Sequence, residues 1–431
     1  MNVLLIGGGG REHALAWKMA QSSLLDTLYI TPGNPGMVRH GRSAEVDLHD
    51  PRDLRRFLLD HRISIVVVGP EQPLVDGLHD RIAADPELEG RVTVIGPKRS
   101  AARLEGSKDF AKEFMFRHNI PTAAYRTFAK GELKAAQEHL RMIKPPFVIK
   151  ADGLAGGKGV VITTDEKEAR TVLKEMLEGG RFGEAGDRVV IEEFLDGIEV
   201  SAFLITDGHA FKMLPAAKDY KRIGDGDTGP NTGGMGAVSP VPFADREFMQ
   251  KVHDRIAAPT IRGLQKEGIP YQGFLFMGLM NVDGEPYVIE YNVRLGDPEA
   301  QVVLPRLRSD LLDLFEGIAT NTLSERHVDV DDRTAVAVVL ASEGYPGPYK
   351  KGMLIEGADT VEEAQVFMAG VEQGPKGLVT DGGRVLAVTC MGKDIEHAIT
   401  RTYRNVMRIA FNGRYCRTDI GHDLVRSPQQ A

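Results

Sequence analysis

The chain has 431 residues, 61 acidic and 53 basic side chains, a formal net charge of −8, and 42% hydrophobic residues. That composition is globular and long enough for roughly three domains of about 150 residues; it excludes a disordered chain, a strongly basic nucleic-acid surface and any apolar run near the roughly 18 residues of a membrane span. Two cysteines, Cys390 and Cys416, make neither a disulfide framework nor a zinc pattern, so a reducing cytoplasm is the expected setting.

The start, MNVLLIGGGGREH, has a short apolar run without a basic flank or a small-residue cleavage site, and reads as a first strand. Over the first hundred residues apolar strands (NVLLIGGG, TLYITPG, SIVVVGPE, RVTVIGP) alternate with helical patterns, which predicts an α/β unit with a parallel sheet. Ligands of such a sheet sit beyond the carboxyl ends of its strands, where 7–12 and 69–74 fall. Residues 100–122 read as two short helices, followed by a small strand-helix unit and a long α+β stretch to about Thr322. From Arg333 the pattern restarts with TAVAVVLASEGYPG, GGRVLAVTCMG and a helix near 394–410, suggesting a separate C-terminal module.

The first glycine loop is not a dinucleotide fingerprint. Placing G-x-G-x-x-G on Gly7 and Gly9 puts Glu12 at the third glycine, and starting at Gly8 puts His13 there. Gly9, Gly10, Arg11 and Glu12 can still cradle a phosphate at a helix start, or simply make a tight turn.

Residues 150–161, KADGLAGGKGVV, look built for phosphate yet fail the Walker A pattern: with Gly157 and Lys158 as the GK pair, the first glycine position holds Asp152 and the Ser/Thr position Gly159. The following VVITT reads as a strand, and only then comes a helix with Asp165 and Glu168 spaced as a capping box. The loop is therefore a hairpin tip, which offers backbone N–H groups and lysines but no helix dipole.

Three more stretches carry chemistry. In VIEEFLDGIE the strand end can present backbone groups to an adenine edge while Glu199 accepts from ribose hydroxyls; an exposed acidic strand end is the plainer explanation. In YVIEYNVRLGDPEAQ, Glu290 and Asn292 are two apart on a strand and share a face, where a carboxylate and an amide oxygen can hold a hard cation, and Arg294 continues that face. Residues 217–239 run for more than twenty residues without periodic apolar structure, which predicts a long functional loop with cations at Lys218, Lys221 and Arg222.

The segments GGREHA, GPEQPLVDGL, LEGSKDFAK, VIKADGLAGGKGV, IEEFLDGIE, DGDTGPNTGGMGA and EYNVRLGDPEAQ, in this order, resemble the phosphoribosylamine-glycine ligase (glycinamide ribonucleotide synthetase) family of the ATP-grasp superfamily. The likeness spans essentially the whole chain. It implies an α/β and α+β multidomain fold: a Rossmann-like N-terminal domain (1–103), an ATP-grasp core (104–121 and 191–325), an inserted lid subdomain (122–190) and a small α+β C-terminal domain (326–431).

By that likeness ATP lies between lid and core, with Lys108, Lys150, Gly156, Gly157 and Lys158 at its phosphates. Glu192, Glu193, Phe194 and Leu195 hold adenine, and Glu199 holds ribose. Glu290 and Asn292 ligate Mg²⁺ or Mn²⁺, and Arg294 and Lys150 act on the transferring group. Glycine and 5-phosphoribosylamine are bound by Gly9, Gly10, Arg11, Glu12, Glu71, Asp219, Lys221, Asn231, Thr232, Gly233, Gly234, Met235, Arg294, Gly296 and Asp297. The implied reaction joins glycine to phosphoribosylamine through a glycyl phosphate in purine biosynthesis, in a cytoplasmic monomer or weak dimer with no nucleic-acid or membrane partner. Many ATP-grasp enzymes carry another acidic ligand on the preceding strand; here Gly273 and the following FLFMGLM hold none, and the number of metal ions stays open. The alternative is another ATP-grasp carboxylate-amine ligase with a phosphorylated or nucleotide-like substrate. An NAD-binding oxidoreductase lacks its third glycine and its acidic strand end.

Overall fold

The computed structural model describes residues 1–155, 159–180 and 183–425. Its first five strands pair in parallel in the spatial order Arg42–Ser43, Thr27–Pro32, Asn2–Gly7, Ile63–Val68, Thr93–Ile95. The strand Asn2–Gly7 sends Leu4 and Ile6 into one apolar cluster and Val3 and Leu5 into another. Burial on both faces is why its sequence is an unbroken apolar run rather than an alternation. The order reverses between Asn2–Gly7 and Ile63–Val68, so 7–12 and 69–74 meet at the crevice where such sheets bind ligands.

The expected helix pair is Arg99–Gly106 and Lys108–Arg117, broken at Ser107, whose hydroxyl caps the second helix by accepting the Phe110 N–H at 3.2 Å. An antiparallel sheet follows, in the order Tyr125–Ala129, Arg188–Glu192, Phe147–Ala151, Val160–Thr163. With the helices Leu133–Leu140 and Glu166–Leu177 it has its own apolar core, including Phe128, Leu140, Ile149, Leu173 and Ile191. The expected hairpin is present in the pairing of Phe147–Ala151 with Val160–Thr163. Gly156, Gly157 and Lys158, at its tip, lie outside the described residues. The capping box does not close: Asp165 accepts the Lys167 N–H at 2.8 Å, but the Thr163 hydroxyl donates to Glu168 and accepts the Asp165 N–H at 3.1 Å, intercepting the return bond.

Among the described residues a nine-stranded sheet forms the centre of the molecule, running Glu285–Asn292, Gly273–Val282, Ile198–Thr206, Phe211–Asp219, Gly236–Ser239, Thr334–Ser342, Arg384–Gly392 and Ala364–Met368, with Arg414–Tyr415 also on Thr334–Ser342. The C-terminal strands have an apolar core of their own around Val336, Leu386, Ile399 and Val406. They join the core directly, because Gly236–Ser239 pairs along Thr334–Ser342 and makes one continuous sheet.

Residues 217–239 are not the structureless loop that the sequence suggests. Phe211–Asp219 extends through its start, Arg222–Gly224 and Thr228–Asn231 form a hairpin, and Gly236–Ser239 enters the main sheet. Backbone pairing supplies the order there without any apolar alternation to announce it.

Candidate active site

A cleft of about 810 Å³ opens between the lid sheet and the central sheet. At one end it is walled by Val148, Ile162, Phe194, Leu195 and Met280. Ile162 is 46% and Phe194 37% exposed, apolar surface of the kind a flat aromatic ligand covers. Glu193 and Phe194 follow the strand Arg188–Glu192, and the Glu193 N–H donates to the Ala124 carbonyl at 2.8 Å. Glu192 plays a different part from its neighbours. Its carboxylate is buried between Lys150 Nζ at 2.9 Å and Lys112 Nζ at 3.0 Å, so its side chain binds lysines rather than a base. Burial lowers the Lys112 ammonium to about 8, against the opposing pull of Glu192.

Lys108 and Lys150 stand together on the next stretch of wall. Lys108 Nζ donates to the Gly153 carbonyl at 3.2 Å, and Lys150 Nζ, from the lid strand Phe147–Ala151, donates to the Ile289 carbonyl of the central sheet at 3.3 Å. Asp152, the residue that breaks the Walker pattern, has a structural task. Its carboxylate accepts the Asp109 N–H at 2.7 Å and the Ser107 hydroxyl at 3.1 Å, while its carbonyl accepts the Lys108 N–H at 3.1 Å. The acid therefore occupies the N-terminus of Lys108–Arg117 and anchors the root of the hairpin loop to it.

Opposite lies the strand Glu285–Asn292. Its register against Gly273–Val282 slips by one residue, so that Gly278 faces Glu290 while Leu279 faces Val288. The slip precedes Glu290, and Glu290 and Asn292 keep a common face, with Asn292 Nδ2 3.5 Å from Glu290 Oε1. Burial pushes the Glu290 carboxyl up, but Lys221, Lys150, Lys108 and Arg294 more than reverse this and hold it below the usual carboxylate range. Asn292 Oδ1 accepts one hydrogen bond, from Arg294 at 3.1 Å, which leaves a second lone pair. An ionised carboxylate beside an amide oxygen fits a divalent cation that keeps most of its ligands for phosphate and water.

Glu199 is paired with Lys221 at 3.0 Å. Burial alone would lower the Lys221 ammonium, and Asp219, Glu199 and Glu290 instead raise it well above normal. Asp219 is pushed up to about 7 by burial, with Glu299, Glu199 and Glu290 adding to the shift and Lys221 opposing it. Glu299, whose carboxylate accepts the Ser201 hydroxyl at 3.2 Å, is raised for the same first reason.

The far end is built around Arg294, which donates to Glu105 at 2.8 Å and to Glu71 at 3.3 Å. Glu105 also accepts the Val293 N–H at 2.7 Å; burial raises its carboxyl to about 7 although Arg294 pulls it down. Arg11 reaches the Leu295 carbonyl at 3.2 Å. Asp297 accepts from Gln301 at 2.6 Å and from Arg384 at 3.1 Å, and Arg384 also bonds the Gly233 carbonyl at 2.7 Å.

Most of the described residues singled out from sequence line this cleft: Arg11, Glu71, Lys108, Lys150, Glu192, Glu193, Phe194, Leu195, Glu199, Asp219, Lys221, Asn231, Thr232, Gly233, Glu290, Asn292, Arg294, Gly296 and Asp297. Gly9, Gly10, Glu12, Gly234 and Met235 do not. Glu12 turns back to accept the Gly9 N–H at 2.7 Å and Arg11 Nε–H at 2.6 Å, and it fills the space over Gly69, where a side-chain carbon would stand 2.2 Å from its Oε1. Gln301 closes in on Gly10 in the same way, at 2.5 Å. Met235 is fully buried, its N–H on the Tyr220 carbonyl and its carbonyl on the Val339 N–H.

With this geometry in place, the likenesses to known proteins are specific. Models described as the phosphoribosylglycinamide synthetase N domain, ATP-grasp (A) domain and C domain match residues 1–105, 106–300 and 335–423. A phosphoribosylamine-glycine ligase of Yersinia pestis is 46% identical over 431 residues, covering 99% of each chain. The chain belongs to the phosphoribosylglycinamide synthetase family. Another ligase of that name, from Vibrio cholerae, is 45% identical over 434 residues with full coverage of both chains. The crystal structure of the Thermotoga maritima phosphoribosylamine-glycine ligase superposes with a TM-score of 0.83 at 35% identity, covering 97% of this chain and 100% of that one. A Hydrogenobacter thermophilus biotin carboxylase domain in complex with MgADP shares the fold alone, with a TM-score of 0.72 at 16% identity over 96% of this chain and 91% of that one. Membership makes the chain an ATP-grasp ligase of purine biosynthesis.

Within the family fold, sequence reasoning missed five charged residues of the cleft wall: Glu105, Lys112, Asp227, Glu299 and Arg384. Lys112 was signalled by its spacing of four from Lys108 on one helix, which puts both on one face. Glu105 and Glu299 stand inside quoted motifs without any local feature that separates them from surface acids. Arg384 arrives from the C-terminal strand Arg384–Gly392, and nothing near it in sequence points at the cleft.

Proposed function

We propose that this cleft binds ATP with Mg²⁺ or Mn²⁺, glycine and 5-phosphoribosylamine, and joins the last two through a glycyl phosphate, releasing ADP and phosphate. The observation that carries the reading is the strand face of Glu290, Asn292 and Arg294 opposite Lys150 beneath an apolar slot. A carboxylate is a poor electrophile. Transfer of the γ-phosphoryl group to glycine converts its hydroxide-like leaving group into phosphate, which the amine nitrogen of phosphoribosylamine then displaces with loss of a proton.

The residues position and neutralise more than they react, as is general in phosphoryl transfer. Lys108 and Lys150 hold the ATP phosphates, and Glu192 keeps Lys150 aimed between them and Lys112. Backbone groups of 193–195 and the side chains of Phe194 and Ile162 receive adenine, and Glu199 with Lys221 receives ribose. Glu290 and Asn292 would hold the divalent cation, which when bound supplies positive charge to the phosphate oxygens. Arg294 stabilises the acyl phosphate, steered by Glu105 and Glu71. Asn231, Thr232, Gly233, Gly296 and Asp297 enclose the two small substrates. Cys390 and Cys416 are free thiols, as a reducing compartment keeps them, and we place the reaction in the cytoplasm.

ADP release measured with ATP, Mg²⁺ and glycine, with and without phosphoribosylamine generated from ribose 5-phosphate and ammonia, tests the proposal. Release that requires both substrates is the expected result. Release that is indifferent to phosphoribosylamine points instead to another ATP-grasp carboxylate-amine ligase.

A further inference from the structure

The hairpin Arg222–Gly224 with Thr228–Asn231 contributes Arg222, Asp227 and Asn231 to the cleft. A two-stranded ribbon this short is marginal by itself, so its position has to be imposed from outside. The constraint comes from residues 415–419, on the C-terminal part of the chain. Arg417, only 1% exposed, donates from Nη1 to Asp227 Oδ1 at 2.6 Å and to the Arg222 carbonyl at 3.2 Å. Its Nε and Nη2 fork onto the two oxygens of Asp419, each at 2.7 Å. Asp419 in turn accepts the Gly226 N–H at 2.8 Å, the Thr418 N–H donates to Asp225 at 2.9 Å, and the Tyr415 hydroxyl donates to the Ile223 carbonyl at 2.8 Å. The turn Asp225-Gly226-Asp227 is thus gripped at every residue, with Asp227 held at a φ of 54°. The Arg417 guanidinium also lies 5.1 Å over the Tyr220 ring, which belongs to the apolar cluster of the C-terminal strands.

We propose that Arg417 is a positioning residue: touching no reacting group, it sets the register of the hairpin that presents Arg222, Asp227 and Asn231 to the small substrates. The proposal rests on the reading of that hairpin as substrate wall. Arginine is required because one planar guanidinium must serve Asp419 as a fork and Asp227 and a carbonyl from its remaining N–H groups; an ammonium is a point charge and cannot do both. Site residues need support to within about 0.5 Å of productive geometry, which a free ribbon does not provide.

The test uses full-length Arg417→Met and Arg417→Lys enzymes, with Thr418→Val, which removes only a hydroxyl bond to Asp225, as a milder variant. Three quantities are read: amide hydrogen exchange over 222–231, the thermal midpoint, and KM for each substrate. The expected result is faster exchange confined to 222–231 and a rise of about 10-fold in KM for glycine or phosphoribosylamine, with KM for ATP within about 2-fold of the parent. Thr418→Val moves the same quantities less. Unchanged exchange at 222–231, or an equal rise in KM for ATP, overturns the positioning role. Faster exchange with every KM unchanged overturns the substrate-wall reading beneath it.

Discussion

Arg294 and Glu105 are 2.8 Å apart although 189 residues separate them in sequence, and their pairing ties the end of the strand Glu285–Asn292 to the helix Arg99–Gly106. Glu105 is buried and Arg294 partly so, with side-chain exposures of 5% and 18%, and the same guanidinium also pairs with Glu71 at 3.3 Å. Arg294→Ala is expected to cut kcat/KM by about 100-fold or more, the scale of losing a preorganised donor to developing negative charge. An Arg294→Ala enzyme of near-normal rate would remove Arg294 from the chemistry.

The raised carboxyl of Asp219 sets a pH dependence of stability. Its native pKa of about 7 lies above the ordinary 3.8, so between those values the native state binds more protons than the unfolded state, and stability from this group falls as pH rises through the window. Its penalty is complete above about 7 and fades toward acid. Asp219→Asn should therefore raise the thermal midpoint relative to the parent more at pH 8 than at pH 5.5; a difference independent of pH contradicts the shift.

Restoring the Walker glycine should harm this enzyme. Asp152→Gly removes the acceptor for the Asp109 N–H and the Ser107 hydroxyl, at a cost of about 1 kcal/mol for a lost helix cap, and loosens the root of the lid loop. The observable is a higher KM for ATP together with a lower thermal midpoint, and an unaltered KM for ATP speaks against the anchoring role.

Divalent cation removal by a chelator should abolish ADP release and readdition of Mg²⁺ should restore it. Glu290→Gln keeps the shape and removes the charge, so its activity should require at least about 10-fold more Mg²⁺. A Glu290→Gln enzyme with the parental Mg²⁺ dependence excludes Glu290 as ligand.

Much of this site was legible in the sequence because its residues stand at periodic spacings on short elements. Glu290, Asn292 and Arg294 follow the period of two, and the slipped register leaves that face intact because the extra residue lies before Glu290. The parallel first sheet and the lid hairpin were readable from apolar runs and the glycines between them. That Glu12 turns back to the Gly9 N–H is not legible in sequence, because it depends on Gly69 lying beside it, a juxtaposition created by strand pairing. Residues 217–239 were misread as loop because their order comes from backbone ladders and from Arg417, Thr418 and Asp419.

By itself, then, the sequence determined the class of elements, the strand face that suits a cation and the hairpin that departs from the Walker loop, since local periodicity and turn chemistry are properties of neighbouring residues. Only the tertiary structure decided that Asp152 caps a helix, that Glu192 is shared by Lys112 and Lys150, that Arg384 reaches the cleft from the strand Arg384–Gly392, and that Arg417 holds the hairpin 222–231 beside it. Those relationships depend on sheet register and on which edges meet across the fold, and neither is written in the spacing of any one segment.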